Sequence, residues 1–586
     1  MERTHGKYPF TLPQRSKPNK NSFNYRASPA QRWIAELPVG NIGETAKQLY
    51  QAIHEVNRLD IAWKDRLNFL EMVRESVAYV QDTMVRHLSN LSFPLPAKTQ
   101  RIASLIQTLH SEMALGYKIT IQDEAVQANF LTRDKAALRT TIHRAIKYLS
   151  QAIITSYRIY APHPQGSWLD LHQLYHYAHD KGLHQDPVKD SLYPVMPESS
   201  IAKVYKQILL LALASPYALR QGEVEKVYHV LVRWTGHVQV IPYDHPQAGE
   251  ALFVVHTDSD DAPDYQAFNH RNCNGQHCCL VDTRQLIPVL QHEYNEFSKS
   301  NQLEGLSHDL LFRLIYTWEQ PPKRHFGRTD REDKIEVAIG LTSLHHMLAQ
   351  EIGDDKMLSM RARYDSRVVQ HAREIARDDI WNLFASQKTK QTYEDFINTI
   401  DTETSAPTAS QINIQHWQLR NESAGGYRLA IEKEHSTRVR VGELVGLRGA
   451  QDGANWKVGV VRWLRQSTEA GLELGVQVIA PLAHPAMVKN ENSSGRASEY
   501  QYALLLPGIP ALEQPATLIT PILLFQPGND LLLHVPGEHL TLHLEESLQD
   551  SGSFMQFRYS PRQQAQASTP QTASKNDDLD DLWSQL

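Results

Sequence analysis

Two short stretches carry side chains whose types and spacing suit them to hold a planar, phosphate-bearing ligand. Arg324 and Arg328 stand four residues apart in the run RHFGR. A guanidinium fork donates paired bonds to phosphate oxygens or to the O6 and N7 edge of guanine, and its plane stacks on a base. Asn421, Ser423 and Gly426 lie in the run NESAGG. The first two offer short polar groups to a hydrogen-bonding ring, and the glycines allow close backbone approach. Taken singly, either pattern is unspecific, because short motifs often match by chance.

Two other clusters bear donor groups. His270, Cys273, His277, Cys278 and Cys279 fall within ten residues, and zinc takes such ligands. The spacing holds no paired C-x-x-C and no second ligand set follows, so we expect buried thiols in a polar loop, with no metal and no cofactor. His172, His176 and His179 recur at helical spacing. Leu171, Leu174, Tyr175 and Ala178 mark the buried stripe, so the histidines are expected on the solvated side. No P-loop or nucleophile elbow is present, and no catalytic residue is assigned; the chain reads as a non-enzyme.

These residues need elements to position them. From Ile412 the runs INIQHWQL, YRLAIE, ELVGLR, WKVGVVRWL and LELGVQVIA succeed one another between turn residues, the pattern of a small antiparallel barrel. Upstream, Leu49, Ile53 and Val56, then Leu70, Val73, Val77 and Val80, recur at three- and four-residue steps, which predicts helices. The fold class is therefore multidomain α+β. The expected order is a basic flexible arm (1–28), an α-helical domain (29–225) and a mixed α/β segment (226–318). A barrel follows over 319–482 with a helical insertion at about 345–400, then a linker (483–500), a β-rich extension (501–560) and a disordered tail (561–586). The tail's acidic-apolar end, Asp577 to Leu586, suits a partner's groove.

The chain of 586 residues is 41% hydrophobic and 22% charged, with a net charge of −6. That balance argues against a general DNA binder, whose affinity rests on excess Lys and Arg. No apolar run approaches the roughly 18 residues that span a bilayer, and three cysteines cannot build a secreted disulfide framework. A cytoplasmic location without membrane insertion is expected.

In order and context the two arginine and asparagine motifs resemble the PilZ family. Its members carry Arg-x-x-x-Arg before the first barrel strand and (Asp/Asn)-x-Ser-x-x-Gly within the barrel. The resemblance implies a receptor for the bacterial second messenger cyclic di-GMP. Arg324 and Arg328 would bind its phosphates and guanines, and Asn421, Ser423 and Gly426 a guanine. One departure stands out: 93 positions separate Arg328 from Asn421, which requires the inserted helical segment. The implied mechanism is conformational, with the arginine segment clamping the ligand and signalling to a protein partner through the helical half or the acidic tail, possible settings being motility or surface attachment. A ligand-free scaffold is the alternative reading, and a metal-dependent enzyme built on residues 270–279 a further one.

Overall fold

The computed structural model describes residues 10, 12–127, 134–192, 197–268, 271, 273, 277–300, 305–320, 327–352, 414–423, 425–432, 437–449, 455–467, 471–490, 500–508, 515–535 and 538–561. The chain divides into two compact units. One comprises Met1–Lys334, Trp417–Val441 and Val461–Gln477, the other Ile335–His416, Gly442–Val460 and Val478–Leu586. Among the described residues no helix is long and apolar enough to cross a membrane.

The first unit opens with helices α1 (Ala27–Ala35), α2 (Ile42–Asn57), α3 (Trp63–Val85), α4 (Ala97–Gln127), α5 (Lys135–Arg158), α6 (Ser167–Asp180), α7 (Ile201–Leu213) and α8 (Glu223–Trp234). Local chemistry sets several starts. Asn41, Asp134 and Ser200 each accept a bond from the amide three residues on, at the heads of α2, α5 and α7, which satisfies donors the helix leaves open. The apolar stripes of α2 and α3 are buried as their spacing predicts. A two-stranded ribbon, β1 (Val188–Lys189) with β2 (Glu198–Ser199), lies between α6 and α7. The ribbon leads into Asp190, whose carboxylate sits 2.7 Å from Arg74 and 2.8 Å from Arg144, all three side chains less than a tenth exposed. Burial by itself would raise the Asp190 pKa, but Arg144 and Arg74 hold it below the usual carboxylate range.

The flexible arm expected over 1–28 is corrected where it is described. Phe10 is buried, Ser16 bridges Leu59, Arg15 pairs with Asp123, and Phe23 packs edge-on against Trp33 and Phe69. The aromatic side chains supply apolar area that a solvated tail lacks, so the segment gains by packing.

The histidines of α6 also depart from expectation. His172 is fully buried, its Nδ1 2.7 Å from the Tyr205 hydroxyl and its Nε2 3.1 Å from the Asp261 carbonyl oxygen. His176 is half-buried, and of the three only His179 is exposed. A helix packed against two partners has two buried faces, and sequence spacing shows only the apolar one. Burial lowers the His172 pKa to about 4, against the pull of the Asp261 carbonyl. The unfolded chain therefore takes up this proton first as pH falls, so the stability present above about pH 6.5 is lost below it. By pH 5 His172 alone should cost about 2 kcal/mol. Urea unfolding compared at pH 7 and pH 5 checks this, and His172→Gln should flatten the dependence.

Next comes a four-stranded sheet of β3 (Gln239–Pro242), β4 (Phe253–His256), β5 (Asp264–Tyr265) and β6 (Cys278–Asp282), in the order β3-β6-β4-β5. Helices α9 (Leu286–Ser300) and α10 (His308–Glu319) follow. These elements occupy the stretch read from the sequence as a mixed α/β segment.

The period-two runs form strands as expected. They are β7 (Thr329–Asp330), β8 (Lys334–Ile339), β9 (Ile414–Ser423), β10 (Gly426–Ile431), β11 (Leu444–Gly449), β12 (Lys457–Ser467) and β13 (Gly471–Ala480). Their order is β10-β13-β12-β11-β8-β9-β7, and a further pairing of β9 with β10 closes a six-stranded antiparallel barrel. Helix α11 (Gly340–Ile352) starts directly after β8, ahead of the insertion expected from 345; residues 353–413 lie outside the described residues. Within the second unit Leu344, Met347 and Leu348 of α11 join Leu444, Val458 and Leu504 in one core.

The β-rich extension is itself a closed barrel, β14 (His484–Lys489), β15 (Gln501–Leu506), β16 (Thr517–Pro521), β17 (Asp530–Val535), β18 (Glu538–Asp550) and β19 (Phe554–Pro561), in the order β14-β15-β16-β19-β18-β17. Its first strand occupies part of the expected linker at 483–500, which corrects that boundary. Closure comes from β14 pairing with β17, Val488 opposite Leu533. The tail from 562 lies outside the described residues.

Candidate functional site

Of the five expected ligand residues, Arg324 lies outside the described residues. Arg328, Asn421, Ser423 and Gly426 all belong to the first compact unit. Strand β7 runs antiparallel beside β9, Thr329 opposite Glu422 and Asp330 opposite Asn421. The pairing continues beyond β7, where the Arg331 amide donates to the Arg420 carbonyl and the Leu419 amide to the Asp333 carbonyl. On its other side β9 pairs with β10, Asn421 opposite Arg428 and Ser423 opposite Gly426. Arg328 precedes Thr329 by one residue, so Arg328 reaches the end of β9 that carries Ser423. The inserted length therefore does not separate Arg328 from the Asn421–Ser423 strand in space.

A β-bulge decides which way the polar residues point. Leu429 pairs with Leu419 and Arg428 with Asn421, which leaves Arg420 without a partner on β10. Strict alternation along β9 would send Asn421 and Ser423 to the side of the buried Trp417 and Leu419. The extra residue shifts the phase, so both share a face with Arg428 and are half-buried, a known use of bulges to re-aim side chains. Alternation along β7 brings Arg328 to the face of Asp330, which is also that of Asn421.

The electrostatics of this face distinguish its cations. Arg428 pairs with Glu473 at 2.7 Å on this face, whereas Arg331 pairs with Glu422 at 3.5 Å on the opposite one. Arg328 is exposed and, among the described residues, has no carboxylate partner. Ser423 Oγ donates to the Gly426 carbonyl at 3.2 Å, fixing the hairpin. A Cβ on Gly426 would stand 2.2 Å from the Val476 carbonyl oxygen, so close approach of β13 demands glycine there. Gly426→Ala should force β10 from β13 and cost about 1–3 kcal/mol, read as a lowered denaturation midpoint. Gly475, opposite Arg428, is covered by the Trp463 indole. Sequence reasoning missed Arg428, Glu473 and Trp463, although Arg428 could be found: two residues beyond Gly426 on one strand, it must share its face.

The helical part of the unit reaches these strands by polar contacts. Phe93 and Thr437 exchange both backbone bonds. Gln466 on β12 donates its amide to the Tyr160 carbonyl and its side-chain nitrogen to the Ile159 carbonyl. Arg465 lies over the Tyr217 ring at 5.5 Å.

The cysteine-rich loop is tighter than expected. Cys273 and Cys278 are joined as a disulfide, their Cα atoms 5.6 Å apart, which corrects the reading of both as ordinary thiols. A short loop that returns to β6 brings the two together. Cys279 is a buried free thiol whose pKa burial raises to about 12. His277 lies 3.6 Å from Asp258, and His270 is outside the described residues.

A closed antiparallel barrel with the Asn-x-Ser-x-x-Gly hairpin on its wall and Arg328 laid alongside defines a PilZ domain. The family model described as "Cyclic-di-GMP receptor FimW, middle PilZ domain" matches residues 252–485. The "Cyclic-di-GMP receptor FimW, N-terminal domain" matches 28–245 and the "FimW C-terminal beta-barrel domain" 486–562. The sequence is 32% identical over 593 residues to the cyclic-di-GMP receptor FimW of Pseudomonas aeruginosa, across 94% of this chain and 95% of that protein. With three domain models and this relative in agreement, the chain belongs to the FimW family, a receptor family rather than an enzyme family. No solved structure matches it.

Proposed function

We propose that this chain is a cyclic di-GMP receptor whose ligand lies on the face shared by β7, β9 and β10. Arg324 and Arg328 grip phosphates and guanine edges, and Asn421, Ser423 and Gly426 meet a guanine. One observation carries the reading: Arg328, a guanidinium with no carboxylate partner among the described residues, is adjacent across the β7–β9 pairing to the Asn421–Ser423 edge. A cation left unpaired beside hydrogen-bonding groups suits an anionic ligand with a polar ring. The name of the Pseudomonas aeruginosa relative supports the same ligand.

Binding orders the arginine segment, and the Phe93–Thr437 and Gln466 contacts pass the change to the helices. The helical domain, or the acidic end Asp577 to Leu586, then engages a protein partner in the cytoplasm, in motility or surface attachment. Isothermal titration of the full chain with cyclic di-GMP is the test. Saturable heat is expected; a folded sample that gives none at micromolar concentration would leave the barrel a ligand-free scaffold.

A further inference from the structure

The middle sheet brings a third donor to the paired cysteines, one that no spacing in the loop reveals. His256 ends β4 and stands directly opposite Cys278 on β6, while Val255 stands opposite Cys279. Cross-strand partners share a face and neighbours alternate. His256 and Cys278 thus face one side, and Cys279 the other. The Thr257 amide donates to the His277 carbonyl at 2.8 Å and closes the loop behind them, and Cys273 enters from within it. His256 Nδ1 is 3.4 Å from Cys278 Sγ and 3.9 Å from Cys273 Sγ. All three donor atoms lie within 4.8 Å of one another.

We propose that, with its two cysteines reduced, this site binds a zinc-class divalent cation through Cys273 Sγ, Cys278 Sγ and His256 Nδ1. Tetrahedral zinc with Zn–S near 2.3 Å and Zn–N near 2.0–2.1 Å has sulfur–nitrogen edges of about 3.6 Å and a sulfur–sulfur edge of about 3.8 Å. Both sulfur–nitrogen distances bracket that edge. Only the sulfurs must move apart, and breaking their bond frees them to do so. A disulfide alone would not require one imidazole nitrogen facing both sulfurs.

The two states exclude each other chemically. Reduction adds two electrons and two protons to the disulfide and gives two thiols. The cation then displaces both protons to solvent and takes a lone pair from each thiolate and from the neutral imidazole. Water fills the fourth position. The floor of the site is apolar, since Ile241, Val254 and Leu280 pack with Cys278, and low polarity strengthens the attraction between cation and thiolate. The charged groups around the loop are already engaged nearby, Asp258 beside His277 and Asp261 with Arg271. None of these residues belongs to the proposed dinucleotide face, so the two readings stand or fall separately.

The full chain, reduced with a phosphine that takes up the oxygen of one water as the disulfide opens, is freed of reductant and titrated with cobalt(II). One equivalent should bind with a thiolate-to-cobalt charge-transfer band, and zinc should displace it. Cys278→Ser should abolish the band, and His256→Ala should weaken binding by more than about tenfold. Wild-type protein with its disulfide intact should bind no cobalt, a control that needs no substitution. Reduced wild type without the band, or equal binding by the disulfide form, would overturn the proposal.

Discussion

Arg328→Ala in the full chain should weaken cyclic di-GMP binding by about 30-fold or more, on the order of 2–5 kcal/mol, with an unchanged unfolding midpoint. The magnitude is that of removing one charged partner from a hydrogen-bonded pair at an interface. The unchanged midpoint follows from exposure: Arg328 is solvated and, among the described residues, engages no carboxylate, so removing it breaks nothing in the unliganded fold. By contrast Arg428, already held by Glu473 at 2.7 Å, would lose an ion pair as well as any ligand contact. Isothermal titration and a thermal melt on the same samples separate the two effects. If the double variant Arg324→Ala/Arg328→Ala binds as tightly as wild type, the ligand sits elsewhere.

A second substitution should act on stability alone. Asp190→Ala leaves Arg74 and Arg144 buried without the carboxylate that sits 2.7 and 2.8 Å from them. Breaking a buried pair by removing one partner typically costs about 3–5 kcal/mol, because an uncompensated charge stays in the interior. Glu71, 3.1 Å from Arg74 and 3.6 Å from Arg144, still offsets part of that charge, which puts the expected loss at the lower end. Urea unfolding followed by helical circular dichroism reads it directly. Acid acts in the same direction, since the depressed Asp190 pKa means its contribution is present above the ordinary carboxylate range and lost as pH falls through the folded value.

Much of the architecture is legible in the residues, and the exceptions share a cause. Strand β9 alternates Trp417 and Leu419 with polar neighbours, and β10 to β13 are short runs rich in Val and Leu between turn residues, so the pattern identifies them without partners. Helices α2 and α3 are equally plain. What escapes is whatever depends on a second segment. His172 has the look of a solvated position until α7 brings Tyr205 against it. His256 lies 17 residues before Cys273, and it is the β4–β6 register, setting His256 opposite Cys278, that brings it to the paired cysteines. Strand β14 hides in the short run HPAMVK, which includes Pro485, a residue that cannot donate to a ladder, and is completed by β17 far along the chain. At the site, the Asn-x-Ser-x-x-Gly hairpin is readable, whereas the bulge at Arg420 is not. One unpaired residue inverts the direction of the two that follow, and only the register with β10 exposes the inversion.

The bonds that Phe93 and Gln466 make also limit how this receptor can be divided. Cutting the helices away would strip the Thr437 segment and β12 of backbone partners contributed from outside the barrel. The PilZ barrel here is no interchangeable cassette: lifted into another protein it would arrive with donors and acceptors unmet, and a host would need to supply a surface of the same shape. Barrel and helices fit as a pair, so recombining either with a foreign counterpart is a harder evolutionary step than in proteins whose modules meet only through a linker.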